Sequence, residues 1–125
     1  MTKLALIVQR FGSDIVGGAE AHARDVALHL ANELGWSIEV FTTCAKKYET
    51  WANELPPGVS ADGPLRVHRY RTARPRSEKY FSMFSRAVFL LDKIMRRIGL
   101  GAPLWMQNLW LKLQGPYCPE LVDDV

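Results

Sequence analysis

Two apolar segments separated by a long helical pattern constrain the fold of this chain more than any other feature. Residues 3–9 include Leu-Ala-Leu-Ile-Val and predict a first strand, and residues 37–43 predict a second one, rich in side chains that favour strands. Between them, residues 19–34 place apolar side chains at three- and four-residue steps, and Gly35 provides a stop. A strand, a helix and a strand within about 40 residues predict a right-handed parallel crossover.

The remainder of the chain extends this α/β pattern. A turn at Asp62-Gly63 precedes a predicted third strand over residues 65–70. After Pro75 a long helix is predicted, followed by a short apolar helix over residues 103–113. The apolar stripe of the long helix consists of Phe81, Phe84, Val88, Leu91, Met95 and Ile98. The predicted fold class is α/β, with a Rossmann-like parallel sheet and flanking helices.

Composition excludes several function classes. The 48% hydrophobic and 23% charged residues are typical of a globular domain. Cys44 and Cys118 lie far apart without a C-x-x-C pair, and no Asp-x-Asp motif occurs, so we expect neither a metal nor another cofactor. No recognisable nucleic-acid-binding motif is present, and no apolar run reaches the roughly 20 residues that span a bilayer. Because Met1-Thr2-Lys3 leads directly into the first strand, we expect a cytoplasmic protein.

Gly17 and Gly18 stand between the first strand and the first helix, where a ligand-binding turn is expected. A parallel strand ends at the carboxyl edge of the sheet, residues without Cβ let backbone N–H groups approach a ligand, and the helix adds its positive end. The dinucleotide pattern G-x-G-x-x-G is absent. The turn is therefore interpreted either as an anion- or sugar-binding turn or as a helix-entry device that binds nothing.

Three side chains near this turn are candidate substrate-binding residues. Glu20 and His22 fall in the first turn of the helix, and Arg10 follows the first strand. Arg10 either meets a phosphate or carboxylate or is an ordinary surface arginine. His22 either donates a hydrogen bond to a ligand or faces solvent, while Glu20 has the simpler role of a negative charge at a helix start. No catalytic residue is assigned.

Two aromatic residues beyond the second strand are also candidates. Tyr48 and Trp51 either form a stacking wall for a sugar ring or pack on the edge of the sheet.

The chain resembles the amino-terminal opening of bacterial family-4 GT-B glycosyltransferases. The longest matching stretches are Leu-Ile-Val-Gln-Arg-Phe-Gly at residues 6–12 and Asp-Ile-Val-Gly-Gly-Ala-Glu-Ala-His-Ala-Arg at residues 14–24. Shorter matches follow at 41–45, 48–51, 53–54, 58–59, 62–63, 67–69 and 114–117. The resemblance covers nearly the whole chain.

This resemblance implies an incomplete half of a GT-B fold. Residues 1–125 would form the amino-terminal, acceptor-side Rossmann-like domain, cut at its carboxyl-terminal end, without the donor-binding domain. The implied reaction transfers a sugar from a nucleotide-diphosphate sugar to a hydroxyl of an acceptor glycan or lipid-linked acceptor, with retained configuration. The resemblance places Gly17, Gly18, Glu20 and His22 at the interdomain cleft. The paired glutamates that bind the donor belong to the other domain, so we expect this chain alone to be inactive.

The basic residues of the second half leave two further interpretations open. Most lysines and arginines after residue 65 lie near the long helix and its flanks. The helices of residues 79–113 either pack on the sheet or contact the inner face of the cytoplasmic membrane peripherally. The alternatives to a glycosyltransferase domain are thus a non-enzymatic sugar- or phosphate-binding module and a membrane-surface interaction fragment.

Overall fold

The computed structural model describes residues 1–125 and contains one open sheet of four strands. The strands are β1 (Lys3–Ile7), β2 (Ser37–Thr43), β3 (Gly58–Asp62) and β4 (Leu65–Tyr70), in the spatial order β1-β2-β4-β3. The bounds predicted for β2 and β4 are confirmed, and β1 ends two residues earlier than predicted. The sheet has helices beside it, so the α/β class is confirmed and the architecture is compatible with a Rossmann-like fragment.

The sheet is mixed, so the expectation of a purely parallel sheet is wrong at one edge. Strands β1 and β2 pair in parallel, with Leu6 opposite Val40, and β2 pairs in parallel with β4. Strand β3 is antiparallel to β4, with Asp62 opposite Leu65. The predicted turn at Asp62-Gly63 therefore joins the two strands of a hairpin, and Gly63 adopts the positive φ of 59° that this tight turn requires.

Helix α1 (Gly18–Leu34) covers the core face of the sheet and is the helix predicted from the sequence. Gly35 ends it in the left-handed conformation, with φ 64°, as the sequence predicts. The core contains six buried side chains from the loop after β1, from α1, from β2 and from β4. They are Phe11, Ala27, Ile38, Val40, Leu65 and Val67.

The remaining helices are α2 (Glu78–Arg96), α3 (Leu104–Gln114) and α4 (Pro119–Asp124). Helices α2 and α3 pack against each other, and α4 contacts β2. The Trp110 indole N–H donates a 2.8 Å hydrogen bond to Ser85 Oγ, and the Trp110 ring meets that of Phe89 edge-on at 5.4 Å. The interpretation in which α2 and α3 both pack on the sheet is therefore wrong, because the two helices contact mainly each other.

None of the helices is both long enough and apolar enough to cross a membrane.

Candidate functional site

A cavity of about 610 Å³ opens where the chain leaves the carboxyl ends of β1 and β2. We call it the edge cavity. Its lining combines polar groups near the first helix, aromatic rings from the loop after β2, and side chains of the α2–α3 pair. The lining residues are Gln9, Arg10, Glu20, Tyr48, Trp51, Arg76, Phe81, Leu111, Gln114 and Gly115. Two predicted binding residues, Arg10 and Glu20, thus share a cavity with both predicted aromatic residues.

Arg10 is held by partners within the protein. Its side chain is 10% exposed, and its Nε and Nη2 donate hydrogen bonds of 3.0 and 2.5 Å to Glu20 Oε1. Nη1 donates to the main-chain carbonyl of Lys46 at 3.1 Å, and the guanidinium lies 5.3 Å from the ring centre of Tyr48. Arg10 is therefore not a surface arginine, since it joins the loop after β1, the start of α1 and the loop after β2.

Glu20 places a carboxylate at the amino-terminal end of α1. The hydrogen bond from Arg10 lowers the pKa of this carboxyl group below its ordinary value, against the opposing effect of burial, and its own backbone N–H lowers it further. No side chain caps the helix, and its first turn starts at the hydrogen bond from the Ala21 N–H to the Gly17 carbonyl. Glu20 therefore supplies the negative charge that favours a helix amino terminus.

Gly17 allows the Glu20 carboxylate to approach the main chain. A Cβ at position 17 would lie in steric conflict with that carboxylate and 3.2 Å from Arg10 Nη2. A Cβ at Gly18 would meet no atom within 4 Å. The two glycines therefore differ: Gly17 makes room for the ion pair, whereas no neighbouring atom requires a glycine at position 18.

The structure places the five predicted binding residues in two groups. Gly17, Glu20 and Arg10 are in close proximity, whereas Gly18 and His22 are exposed and do not line the edge cavity. The imidazole of His22 is thus on the solvent side of the first helical turn.

Trp51 and Tyr48 differ in exposure. Trp51 is buried, and its indole N–H donates to the Gln114 carbonyl at 2.9 Å. Its φ of 53° is the one positive value outside the glycines, and Thr72 Oγ1 donates to its carbonyl at 2.6 Å. A bulky residue in this conformation is strained and needs such anchoring. Tyr48 is 55% exposed, so its ring retains accessible surface for a ligand.

Arg76 is a residue of this site that the sequence analysis did not single out. Its guanidinium donates to four main-chain carbonyls, those of Tyr48, Glu49, Leu113 and Gln114, at 2.7–2.9 Å. It also lies 3.8 Å from the ring centre of Phe81, and burial lowers its pKa. Its partners are main-chain atoms distant in sequence, so no local motif predicts this role.

The edge cavity can form hydrogen bonds to hydroxyl groups and present aromatic surface to a ring. Glu20 retains lone pairs to accept O–H groups, and Gln9 and Gln114 have amide side chains that both donate and accept. The sequence analysis expects an anion at the start of α1. A phosphate bound there would be repelled by the negative charge of the Glu20 carboxylate. No group of three or more histidine, cysteine, aspartate or glutamate side chains is arranged to hold a metal ion.

No protein-family model, curated protein or solved structure matches the chain.

Proposed function

We propose that the edge cavity binds a sugar and that the chain is the acceptor-side domain of a retaining glycosyltransferase. The observation that supports this most is the ion pair of Arg10 and Glu20 opposite the half-exposed ring of Tyr48. Sugars bind through hydrogen bonds to hydroxyl groups and through apolar contact with an aromatic ring. The resemblance of residues 6–24 to family-4 GT-B enzymes supports the same proposal.

The charge at the cavity favours a neutral sugar over a phosphate. Arg10 already has Glu20 as a partner, and the lowered pKa of Glu20 keeps that partner negative at neutral pH. A phosphate would have to displace this carboxylate from the helix start, whereas a hydroxyl group can donate to it. The proposed ligand is therefore a hydroxyl-bearing ring of an acceptor glycan or lipid-linked acceptor.

In the proposed reaction, the sugar moves from a nucleotide diphosphate to the acceptor. The bond from the anomeric carbon to the diphosphate oxygen breaks, a bond from that carbon to the acceptor oxygen forms, and the acceptor hydroxyl gives its proton to the leaving diphosphate. The leaving diphosphate needs positive charge and N–H donors. In the proposed two-domain enzyme those groups belong to the donor-binding domain, so binding without turnover is expected for residues 1–125.

Ligand-detected NMR on the 125-residue chain tests the proposal. The probes are methyl glycosides of glucose, galactose, mannose and N-acetylglucosamine, together with UDP, UDP-glucose and inorganic phosphate, whose binding is followed by competition with the glycosides. We expect at least one glycoside to bind and both nucleotides to bind more weakly. Tyr48→Ala should weaken glycoside binding by about three- to tenfold, the usual contribution of an aromatic contact.

Tyr80→Ala provides a matched control, because Tyr80 is an exposed tyrosine on α2 that does not line the edge cavity. It should leave glycoside binding unchanged. Equal loss in both variants, or no glycoside binding at all, would contradict the proposal. Binding of inorganic phosphate in preference to every glycoside would instead favour a phosphate-binding module.

A further inference from the structure

Helix α2 has a second apolar stripe whose side chains remain at least half exposed. Its inner stripe packs against α3, with Val88 buried. A separate set of apolar side chains follows the helix at steps of three, four and seven residues and remains 50–72% exposed. We call it the outer stripe. It consists of Tyr80, Met83, Leu90, Ile94 and, just past the helix end, Ile98.

A row of basic side chains lies beside the outer stripe. Lys79, Arg86, Lys93 and Arg97 are exposed, and at 100° per residue they fall next to the outer stripe on one side of the helix. None of these four residues forms a salt bridge, whereas Arg96 is paired with Asp92 at 2.6 Å. We call these four residues the basic row. Their charges are available to a partner.

Charge is concentrated on the α2–α3 pair. Residues 78–114 contain six lysines and arginines but two acidic residues, while the whole chain has a formal net charge of +3. The α2–α3 pair is therefore more positive than the chain as a whole, and the remainder is slightly acidic. Exposed apolar side chains beside unpaired basic ones are typical of helices that lie in a membrane interface.

We propose that α2 docks on the surface of an anionic lipid bilayer, with the outer stripe in the headgroup–acyl boundary and the basic row on the lipid phosphates. Anionic lipid fits both features, since the hydrocarbon accepts apolar side chains and the headgroups complement the charge. A second copy fits less well, because pairing two outer stripes would bring two basic rows close together. The α2–α3 packing leaves this face open, so docking needs no rearrangement of the fold.

The docking surface is separate from the edge cavity and does not depend on sugar binding. No residue of the outer stripe or of the basic row lines the edge cavity. Loss of one activity in a variant can therefore be distinguished from loss of the other.

Vesicle sedimentation with the 125-residue chain tests the inference. The probes are vesicles of phosphatidylcholine alone and vesicles containing 30% phosphatidylglycerol, each at low and at high salt. We expect binding to the anionic vesicles at low salt, at least about tenfold stronger than to the neutral ones, and a marked loss at high salt. The combined change of Lys79, Arg86, Lys93 and Arg97 to Gln should reduce binding by roughly six-hundredfold, from roughly fivefold for each basic residue.

Leu90→Glu and Ser82→Glu form a matched pair that separates the apolar contribution from charge. Both add one negative charge to an exposed position of α2, but Ser82 lies outside the outer stripe. Leu90→Glu should weaken binding to anionic vesicles by at least about tenfold and Ser82→Glu by less. Circular dichroism on each variant verifies that the helix content is retained.

Equal binding to neutral and anionic vesicles would overturn the inference, as would equal effects of the two glutamate variants. Sedimentation velocity without lipid provides a further test. A stable dimer that Leu90→Glu dissociates, combined with no vesicle binding, would assign the outer stripe to a second copy and overturn it as well.

Discussion

The guanidinium of Arg76 and the indole N–H of Trp51 both donate to one main-chain oxygen, the carbonyl of Gln114, at 2.8 and 2.9 Å. Through these bonds the last turn of α3 is attached to the loop that follows β2. Because α2 and α3 pack mainly on each other, this attachment is a principal connection between the helical pair and the sheet. It also forms one wall of the edge cavity.

Replacing Arg76 should release the helical pair more than it unfolds the sheet. Arg76→Met removes charged donors from four carbonyls, and we expect α3 to open more readily by about 2–3 kcal/mol, since hydrogen bonds to charged groups are among the stronger ones. Native-state hydrogen exchange measures this as faster exchange in α2 and α3 than in β2 and β4. Arg74→Met is the control, because Arg74 is exposed and its guanidinium lies over the ring of Tyr117. A uniform effect of Arg76→Met on all elements would contradict the prediction.

Gly17 and Gly18 should respond oppositely to alanine. Gly17→Ala brings a methyl group against the Glu20 carboxylate and Arg10, so we expect the ion pair to open and the free energy of unfolding to fall by about 1–2 kcal/mol. In Gly18→Ala the added methyl group meets open space at the first residue of α1. This change should raise the free energy of unfolding by about 0.5 kcal/mol, because alanine loses less backbone entropy on folding. Urea unfolding of the two variants measures both effects.

A double-mutant cycle assigns the effect of Gly17→Ala to its contact with Glu20. In a Glu20→Ala background the obstructing carboxylate is absent, so Gly17→Ala should no longer destabilise the protein. If the loss of stability persists in that background, the requirement for glycine at position 17 has another source.

The sequence predicts correctly those elements whose apolar side chains alternate or repeat at a helical period. It does not predict elements whose side chains show no such pattern. Strands β2 and β4 and helix α1 were predicted within a residue of their bounds because their apolar side chains follow strand or helix periods. Strand β3 was missed because its residues are almost entirely exposed, so Gly58–Asp62 shows no alternation. In the predicted stripe of α2, Val88 is buried but Ile98 is 69% exposed. Periodicity does not say which element packs on the stripe, and the helix that packs on α2 is α3.

The sequence identifies several residues of the candidate site but does not predict which of them contact one another. Arg10, Glu20 and Gly17 are candidate ligand-binding residues in the sequence, and the structure shows that they contact one another. That pairing depends on the path of the chain between Arg10 and Glu20, which are ten positions apart, and no local pattern describes that path. Arg76 could not be predicted because its partners are main-chain carbonyls 27–38 residues away.

Both cysteines should react slowly with thiol reagents in the folded protein. Cys44 and Cys118 are buried, and burial raises the pKa of each thiol. Because the thiolate is the reacting form, we expect labelling by 5,5′-dithiobis(2-nitrobenzoic acid) at pH 8 to be much slower than for the urea-unfolded chain. Cys44→Ser and Cys118→Ser identify which thiol reacts first. Rapid native-state labelling of either cysteine would contradict the prediction.

The ion pair of Glu20 and Arg10 should make stability depend on pH in acid. The pKa of Glu20 lies below its ordinary value of 4.5 in the folded protein, chiefly because of the hydrogen bond from Arg10, so the unfolded chain takes up a proton at this residue first as the pH falls. The stabilisation from ionised Glu20 is therefore complete above pH 4.5 and is lost as the pH falls through the folded-state pKa. At pH 7, Glu20→Gln should lower the free energy of unfolding by about 1–3 kcal/mol, because it leaves the buried Arg10 without its carboxylate.

Urea unfolding of the wild type and of Glu20→Gln between pH 7 and pH 3 measures this dependence as a difference. Asp62, whose pKa is also lowered, by the hydrogen bond from Arg24, is present in both proteins, so its contribution cancels in the comparison. We expect the difference in unfolding free energy to be constant down to about pH 4.5 and to shrink below it. Glu33→Gln, at an exposed position of α1 without a salt bridge, should differ little from wild type at pH 7. A difference between wild type and Glu20→Gln that grows as the pH falls would mean that Glu20 is not stabilised in its ionised form by Arg10.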